Sequence, residues 1–233
     1  MLSVSVLIPA YNEENKISDT VASAFALPGV KQVIVVDDGS VDDTAGKAVA
    51  AGAEVTRVFP NKGKGNALNV GATLVKGDIV VLLDGDLGRT AEAAGKLIEP
   101  IMQQKTDMTI AKIVSSKKSG GFGLVRGLAR KGVKFLTGKD MTCVLSGQRA
   151  MLKAVFNQLL PFSDGFGVEV GMTVKALQGG FDLMEVPVSM KHSETGKDLR
   201  GFIHRGKQFY HILKVFVQLY FGGGRNCRSS SHC

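Results

Sequence analysis

The chain has 233 residues, the length of one large domain. With 44% hydrophobic and 21% charged residues, a collagen-like, largely disordered or disulfide-scaffold class is excluded for most of the chain. The net charge of +8 favours anionic partners, but only 6% of the residues are aromatic and none is Trp, so we predict no nucleic-acid partner.

The compartment is suggested by cysteine usage and by the N-terminal pattern. The three cysteines (Cys143, Cys227 and Cys233) lack metal-ligand spacing and indicate reduced thiols of a cytoplasmic protein. The N-terminus has no signal-peptide pattern, and no apolar stretch reaches the roughly 18 residues that a membrane span needs. We therefore expect a cytoplasmic location, which includes the inner face of the membrane.

The first half of the chain alternates between strand-like and helix-like segments. Apolar, β-rich runs lie at 3–8, 32–36, 54–59, 79–83 and 108–114, and helix-like stretches lie at 14–26, 42–51, 64–76 and 90–103. This alternation predicts an α/β, Rossmann-like and mostly parallel sheet with helices on both faces. Open sheets of this kind bind ligands at the carboxyl ends of their strands.

The second half is less regular. Helices are predicted at 124–136, 148–160, 168–178 and 208–221, and a strand at 182–186. We expect a single domain over 1–222, with halves at 1–113 and 114–222, and a disordered tail at 223–233.

Two carboxylates flank a glycine directly after the fourth predicted strand. Asp84 and Asp86 can reach one divalent cation, and Gly85 lets the backbone turn tightly beside a ligand. Mg²⁺ and Mn²⁺ prefer such oxygen ligands. The alternative is a pair of capping residues in a loop between strand and helix.

A second acidic pair follows the second predicted strand. The carboxylates of Asp37 and Asp38 can accept a hydrogen bond from an N–H group of a nucleobase. A turn with helix caps is the alternative, and it accounts for Asp42 and Asp43 but leaves Asp37 and Asp38 without a role.

Two further polar loops follow strands one and three. In the first, Pro9 ends the strand, Tyr11 can cover a base or ribose face, and Glu13 can accept a hydrogen bond from a ribose hydroxyl. In the other, the glycines and lysines of 61–66 stand at a helix N-terminus, which favours anions. The G-x-x-x-x-G-K-[ST] order of an ATPase loop is absent.

These loops belong to an ordered series of motifs. They read IPAYNEE, VVDDGSVDDT, NKGKGNALN, LLDGDL, VLSGQRA, GFGVEVGMTVKALQGG and MEVPV. Over residues 3–190 the chain resembles family-two glycosyltransferases with the GT-A fold. Within that family it is similar to the catalytic domains of the dolichyl-phosphate mannosyltransferase and glucosyl-3-phosphoglycerate synthase type.

The resemblance implies a metal-dependent hexosyltransferase. It would move a sugar from a UDP- or GDP-sugar to a phosphorylated or lipid-linked acceptor, such as a polyprenyl phosphate, in cell-envelope or glycolipid synthesis. A soluble phosphoglycerate-like acceptor is the alternative. The half at 1–113 would bind the nucleotide sugar, and the half at 114–222 would bind the acceptor.

The resemblance also assigns residues to roles. The nucleotide-sugar site comprises Pro9, Ala10, Tyr11, Glu13, Asp37, Asp38, Lys62, Lys64, Asp84 and Gly85. The metal ligands are Asp84 and Asp86, with His192 as a third; the alternative for His192 is an ordinary surface histidine. The catalytic residues are Asp86, Glu169 and Arg149. The acceptor site comprises Asp140, Ser146, Gly147 and Arg149, together with Arg205 from the basic stretch 192–207. Either Glu169 accepts a hydroxyl proton, or an acceptor phosphate attacks directly with Arg149 as its clamp.

Three other classes are weighed against this one. A processive polysaccharide synthase is disfavoured because the Q-x-x-R-W motif is absent. A nucleotidyltransferase is disfavoured because the first loop is acidic. A non-enzymatic anion- or membrane-binding module rests on the charge alone. The cationic segments 124–136 and 206–221 can lie on an anionic membrane, or their apolar faces can pack on the core.

Overall fold

The structure is a computed structural model, and it describes residues 2–114, 123–163 and 167–191. Seven strands form its sheet: β1 (Val4–Ala10), β2 (Val30–Asp37), β3 (Glu54–Arg57), β4 (Ile79–Leu82), β5 (Met108–Ile113), β6 (Arg149–Leu152) and β7 (Leu183–Val188). The helices within the described ranges are α1 (Ile17–Phe25), α2 (Thr44–Ala50), α3 (Lys64–Ala72), α4 (Gly95–Met102), α5 (Gly123–Thr137), α6 (Lys153–Leu159) and α7 (Val168–Gln178). A 3₁₀ helix over Gly88–Ala94 leads into α4.

The strands follow the order β3-β2-β1-β4-β6-β5-β7. All neighbouring pairs are parallel except those of β6, which runs antiparallel to both β4 and β5. The predicted α/β class with a mostly parallel sheet is confirmed.

Helices cover both faces of the sheet because successive strand residues point to opposite sides. Val6 and Ile8 of β1 pack with α1, α4 and the 3₁₀ helix, whereas Leu7 packs with α3, α5, α6 and α7. The central strand β4 and most of β1 are therefore apolar on both sides, which is why they read as near-continuous hydrophobic runs in the sequence.

Most predicted elements are present, and one is wrong. The five strands of the first half lie within two residues of their predicted ends. The helix predicted at 148–160 is wrong in its first part, because Arg149–Leu152 forms β6. Arg149 pairs with Leu82 of β4 and with Ile110 of β5, so a place between two strands outweighs the helix preference of these residues.

Some expectations lie outside the described residues. They are the basic stretch 192–207, the helix at 208–221 and the tail at 223–233. In the part of the chain that is described, no helix is both long and apolar enough to cross a membrane.

Candidate active site

The loop that carries Asp84 and Asp86 is held against the first loop and α1. A Cβ atom on Gly85 would lie 3.2 Å from Cβ of Ala10 and 3.4 Å from Cγ of Glu13, so the two loops are in close contact. Thr20 of α1 is fully buried. Its hydroxyl donates to the carbonyl of Gly85 at 2.9 Å and accepts the N–H of Gly88 at 2.8 Å. The acidic loop is therefore fixed by its hydrogen bonds to α1.

A lysine bridges the two halves of the site. Nζ of Lys64 lies 2.7 Å from Oδ1 of Asp84 and 2.9 Å from Oε1 of Glu169. Burial alone would lower the pKa of Lys64, but the two carboxylates outweigh it and raise the pKa above its ordinary value. Lys64 is thus a fixed positive charge between Asp84, which is predicted to bind the nucleotide sugar, and Glu169, which is predicted to be catalytic.

The segment before β6 completes the surroundings of Asp84. Gln148 is fully buried, and its side-chain amide donates to Oδ2 of Asp84 at 2.5 Å. Gly147 allows this close approach, because a Cβ atom there would lie 2.6 Å from Nζ of Lys64 and 3.0 Å from Oδ2 of Asp84. Both carboxylate oxygens of Asp84 are therefore oriented by neighbouring side chains.

Glu13 is partly buried near other carboxylates. Burial raises the pKa of Glu13 to about 7, and the nearby carboxylates of Asp86, Asp42 and Asp84 contribute to the rise. A cation at this position would relieve the repulsion.

A divalent cation fits these residues by the chemistry of their donor atoms. Mg²⁺ and Mn²⁺ take oxygen ligands, and Mg²⁺ is commonly held by one or two carboxylates together with substrate phosphates. Asp84 and Asp86 supply two carboxylates, and both lie close enough to Glu13 to contribute to the rise of its pKa. Among the described residues, no group of three or more His, Cys, Asp or Glu side chains is placed to hold a metal ion. The predicted third ligand, His192, lies outside those residues.

Asp37 and Asp38 hold backbone in place, which the sequence did not show. Both are buried. Asp38 accepts the N–H groups of Lys62 and Gly63 at 3.0 and 2.6 Å, so it fixes the loop that starts α3. Asp37 accepts the N–H of Ser40 at 3.0 Å and pairs with Nε of Arg57 at 2.9 Å. Base recognition by Asp38 stays a prediction, and the base would share the carboxylate with these two N–H groups.

The other predicted nucleotide residues surround this loop cluster. Pro9 and Ala10 end β1, and the carbonyl of Ala10 accepts the N–H of Asp38 at 2.9 Å. Tyr11 is 47% exposed, and Lys62 is also exposed. These positions suit a rim around a bound nucleotide.

Arg149 is buried among hydrogen-bond acceptors of the protein, and its role as an acceptor clamp stays a prediction. Its guanidinium is fully buried and donates to the carbonyls of Ser146 and Val144 at 2.8 and 2.9 Å. It also donates to the carbonyl of Glu169 at 2.9 Å and to the hydroxyl of Thr173 at 3.0 Å. Burial lowers the pKa of Arg149 to about 10. In this conformation Arg149 joins the segment before β6 to the start of α7, and so positions Glu169.

The other residues that were predicted to bind the acceptor do not all lie together. Ser146 lines a cavity of about 210 Å³ whose other walls are Ala111, Ile113, Arg126, Thr142, Cys143, Val144 and Leu145. The carboxylate of Asp140 pairs instead with Arg130 of α5, at 2.5 and 2.8 Å, and these hydrogen bonds lower the pKa of Asp140 to about 2. Arg205 lies outside the described residues.

Sequence reasoning did not connect two residues of this site with the acidic loop. Gln148 stands inside the predicted motif VLSGQRA, but the helix predicted there gave no reason to place it beside Asp84. Thr20 lies in the middle of α1 and carries no local sequence signal. Both support Asp84 and Gly85 from elements distant in the chain.

Comparisons with known proteins identify the family of the chain. The model of the family "Glycosyl transferase family 2" matches residues 5–160. Glucosyl-3-phosphoglycerate synthase of Mycolicibacterium smegmatis is 31% identical over 196 residues, which cover 74% of this chain and 63% of that protein. Undecaprenyl-phosphate 4-deoxy-4-formamido-L-arabinose transferase of Edwardsiella ictaluri is 27% identical over 235 residues, which cover 93% of this chain and 66% of that protein. The chain thus spans slightly less than two thirds of each relative's length.

A solved structure supports the same assignment. Glucosyl-3-phosphoglycerate synthase from Mycobacterium tuberculosis, in complex with Mn²⁺, uridine diphosphate and glucosyl-3-phosphoglycerate, matches with a TM-score of 0.79 and 26% identity. The match covers 94% of this chain and 80% of that chain. The chain belongs to glycosyl transferase family 2. It is a glycosyltransferase with the GT-A fold, as the motifs predicted.

Proposed function

We propose that this chain transfers a hexose from a UDP-sugar to the phosphate of a lipid-linked acceptor of the polyprenyl-phosphate kind, in cell-envelope or glycolipid synthesis. The observation that carries the proposal is the ion-pair bridge from Asp84 through Lys64 to Glu169. It joins the acidic loop of the 1–113 half, which would bind the donor, to α7 of the 114–222 half, which would bind the acceptor.

The donor would lie over the loops at the carboxyl ends of β1, β2 and β4. Asp84 and Asp86, with His192 as a further ligand, would hold Mg²⁺ or Mn²⁺. Such a cation neutralises the charge of a departing diphosphate. UDP as the nucleotide is supported by the likeness to a solved enzyme that binds Mn²⁺ and uridine diphosphate.

The protein's own residues would orient the reacting groups. Lys64 places a fixed positive charge next to Asp84 and restrains the carboxylate of Glu169 at 2.9 Å. An acceptor phosphate is already an anion and needs little base catalysis, so Glu169 would orient the sugar or the acceptor. Arg149 would hold Glu169 in place by its bond to the Glu169 carbonyl.

The cavity beside Ser146 supports a lipid-linked acceptor. Its walls are mostly apolar, yet they include the guanidinium-bearing side chain of Arg126 and the hydroxyl residues Thr142 and Ser146. A volume of about 210 Å³ is enough for a phosphate and the first carbons of an attached chain. Peripheral contact with an anionic membrane follows for such an acceptor.

A soluble phosphoglycerate-like acceptor is the second candidate. It is supported by the likeness to glucosyl-3-phosphoglycerate synthase. That acceptor is also an anion and would use the same cation-bearing cavity, but it gives no role to the apolar walls.

The test is a transfer assay with the purified full chain and Mn²⁺. UDP-glucose and GDP-mannose are offered with either farnesyl phosphate in detergent or 3-phosphoglycerate, and the glycosylated product and the released nucleotide are separated by chromatography. We expect uridine diphosphate release that depends on farnesyl phosphate, and its loss in Asp86→Ala with the fold intact. Turnover only with 3-phosphoglycerate would favour the second candidate. In a parallel incubation with UTP and glucose 1-phosphate, release of pyrophosphate would indicate a nucleotidyltransferase.

A further inference from the structure

Helix α5 has one apolar face and one cationic face. Val125, Ala129 and Val133 recur at a spacing of four residues and are buried in the core layer shared with α7. The opposite side is exposed. We call it the α5 basic face, and it consists of Arg126, Arg130, Lys131 and Lys134.

The α5 basic face belongs to a stretch of chain with an excess of positive charge. Residues 123–140 contain five cationic side chains against one carboxylate, a net charge of +4. That carboxylate, Asp140, pairs with Arg130 at 2.5 Å and with Lys134 at 3.6 Å. Phe135, next to Lys134, has 76% of its surface exposed. The 15 residues of α5 span about 22 Å, so the charge forms an extended row rather than a point.

We propose that the α5 basic face docks on the surface of an anionic bilayer, with the Phe135 ring at the level of the headgroups. This inference rests on the proposed lipid-linked acceptor. Lysine and arginine on a helix face are attracted to anionic headgroups, and an aromatic ring is favoured at the interface. Docking also explains the position of the cavity, because Arg126 belongs to this face and lines the same cavity as Ser146. A lipid phosphate would therefore reach the site without leaving the membrane surface.

The test measures vesicle binding of the full chain by co-sedimentation. The vesicles contain phosphatidylcholine alone, or phosphatidylcholine with phosphatidylglycerol. The first variant replaces Arg130, Lys131 and Lys134 by Gln. Each cation contributes about fivefold to binding at such a surface, so we expect affinity for the anionic vesicles to fall by about a hundredfold. The matched control replaces Lys31, Lys96 and Lys105 by Gln. These three lysines are also exposed. Lys96 lies on α4, across the sheet from α5, and we expect this control to bind like the wild type.

A second variant keeps the test decisive if the triple variant does not fold. Asp140→Asn removes a carboxylate that pairs with Arg130 and Lys134, and we expect binding to the anionic vesicles to become about fivefold tighter. Equal binding of the wild type to both vesicle types, wild-type binding by the folded triple variant, or weaker binding by Asp140→Asn would each overturn the inference. Transfer to farnesyl phosphate in detergent involves no bilayer. If that activity is present while vesicle binding fails, the inference is wrong and the proposed function stands.

Discussion

Gly147 is the position where the smallest side chain would disturb the site most directly. In Gly147→Ala the new methyl carbon would lie 2.6 Å from Nζ of Lys64. Contact at an ordinary distance would require the ammonium to move by about 0.8 Å. That ammonium is held by carboxylates at 2.7 and 2.9 Å, so such a movement weakens at least one of these bonds by lengthening or misaligning it.

The expected loss follows from the strength of that bond. A hydrogen bond to a charged group contributes about 1.5–3 kcal/mol, which corresponds to a loss of roughly 10- to 100-fold in kcat/KM if transfer depends on the placement of Lys64. The assay is uridine diphosphate release from UDP-glucose with farnesyl phosphate as acceptor. The control is Gly127→Ala in α5, where a Cβ atom would meet nothing within 4 Å. We expect this variant to be fully active.

A double-mutant cycle separates steric pressure on Lys64 from a general effect on the fold. If the new methyl group acts through Lys64, Gly147→Ala should cost little further activity in a Lys64→Ala background. Unchanged kcat/KM in the single Gly147→Ala variant, with unfolding temperature as in the wild type, would refute the reasoning. So would fully additive losses in the double variant.

Three further predictions follow from buried or paired groups. Arg149→Met leaves buried carbonyls without a hydrogen-bond donor, so we expect the free energy of unfolding, measured in urea, to fall by about 3 kcal/mol or more. Unchanged stability together with a raised KM for the acceptor would instead support the acceptor-clamp role of Arg149. The pKa of Glu13 is raised from 4.5 to about 7, so between these values the folded chain holds a proton that the unfolded chain has lost, and stability falls as pH rises. With EDTA present, we expect Glu13→Gln to remove this fall in stability. The unfolding temperature is measured at a pH below 4.5 and at a pH above 7, and an identical pH profile in the wild type and the variant would contradict the prediction. Asp38→Ala frees two loop N–H groups and is expected to raise the donor KM about tenfold, with Asp140→Ala leaving donor KM as it is; equal effects would remove Asp38 from the donor site.

The sequence predicts the donor side well because its residues follow apolar strands in a regular way. Asp38, Lys64 and Asp84 each come shortly after a strand of the parallel part of the sheet, so the sheet alone brings them to one edge. The partners of these residues were not predictable. The hydrogen bonds of Asp38 join residues 24 and 25 positions apart, and Lys64 reaches Glu169 across 105 positions. Such contacts depend on packing between elements, which local patterns do not contain.

The direction of β6 explains both the wrong helix prediction at 148–160 and the contact of Gly147 and Gln148 with Asp84. Strand β6 was predicted as helix, and its antiparallel direction places its first residue, Arg149, opposite Leu82 near the end of β4. An antiparallel strand begins where its parallel neighbours end, so the residues just before β6 lie at the ligand-binding edge. That is why Gly147 and Gln148 touch Asp84, although 63 and 64 positions separate them in the chain. A helix at 148–160 would have left Asp84 without this support. One reversed strand therefore brings the second half of the chain into contact with the acidic loop of the first.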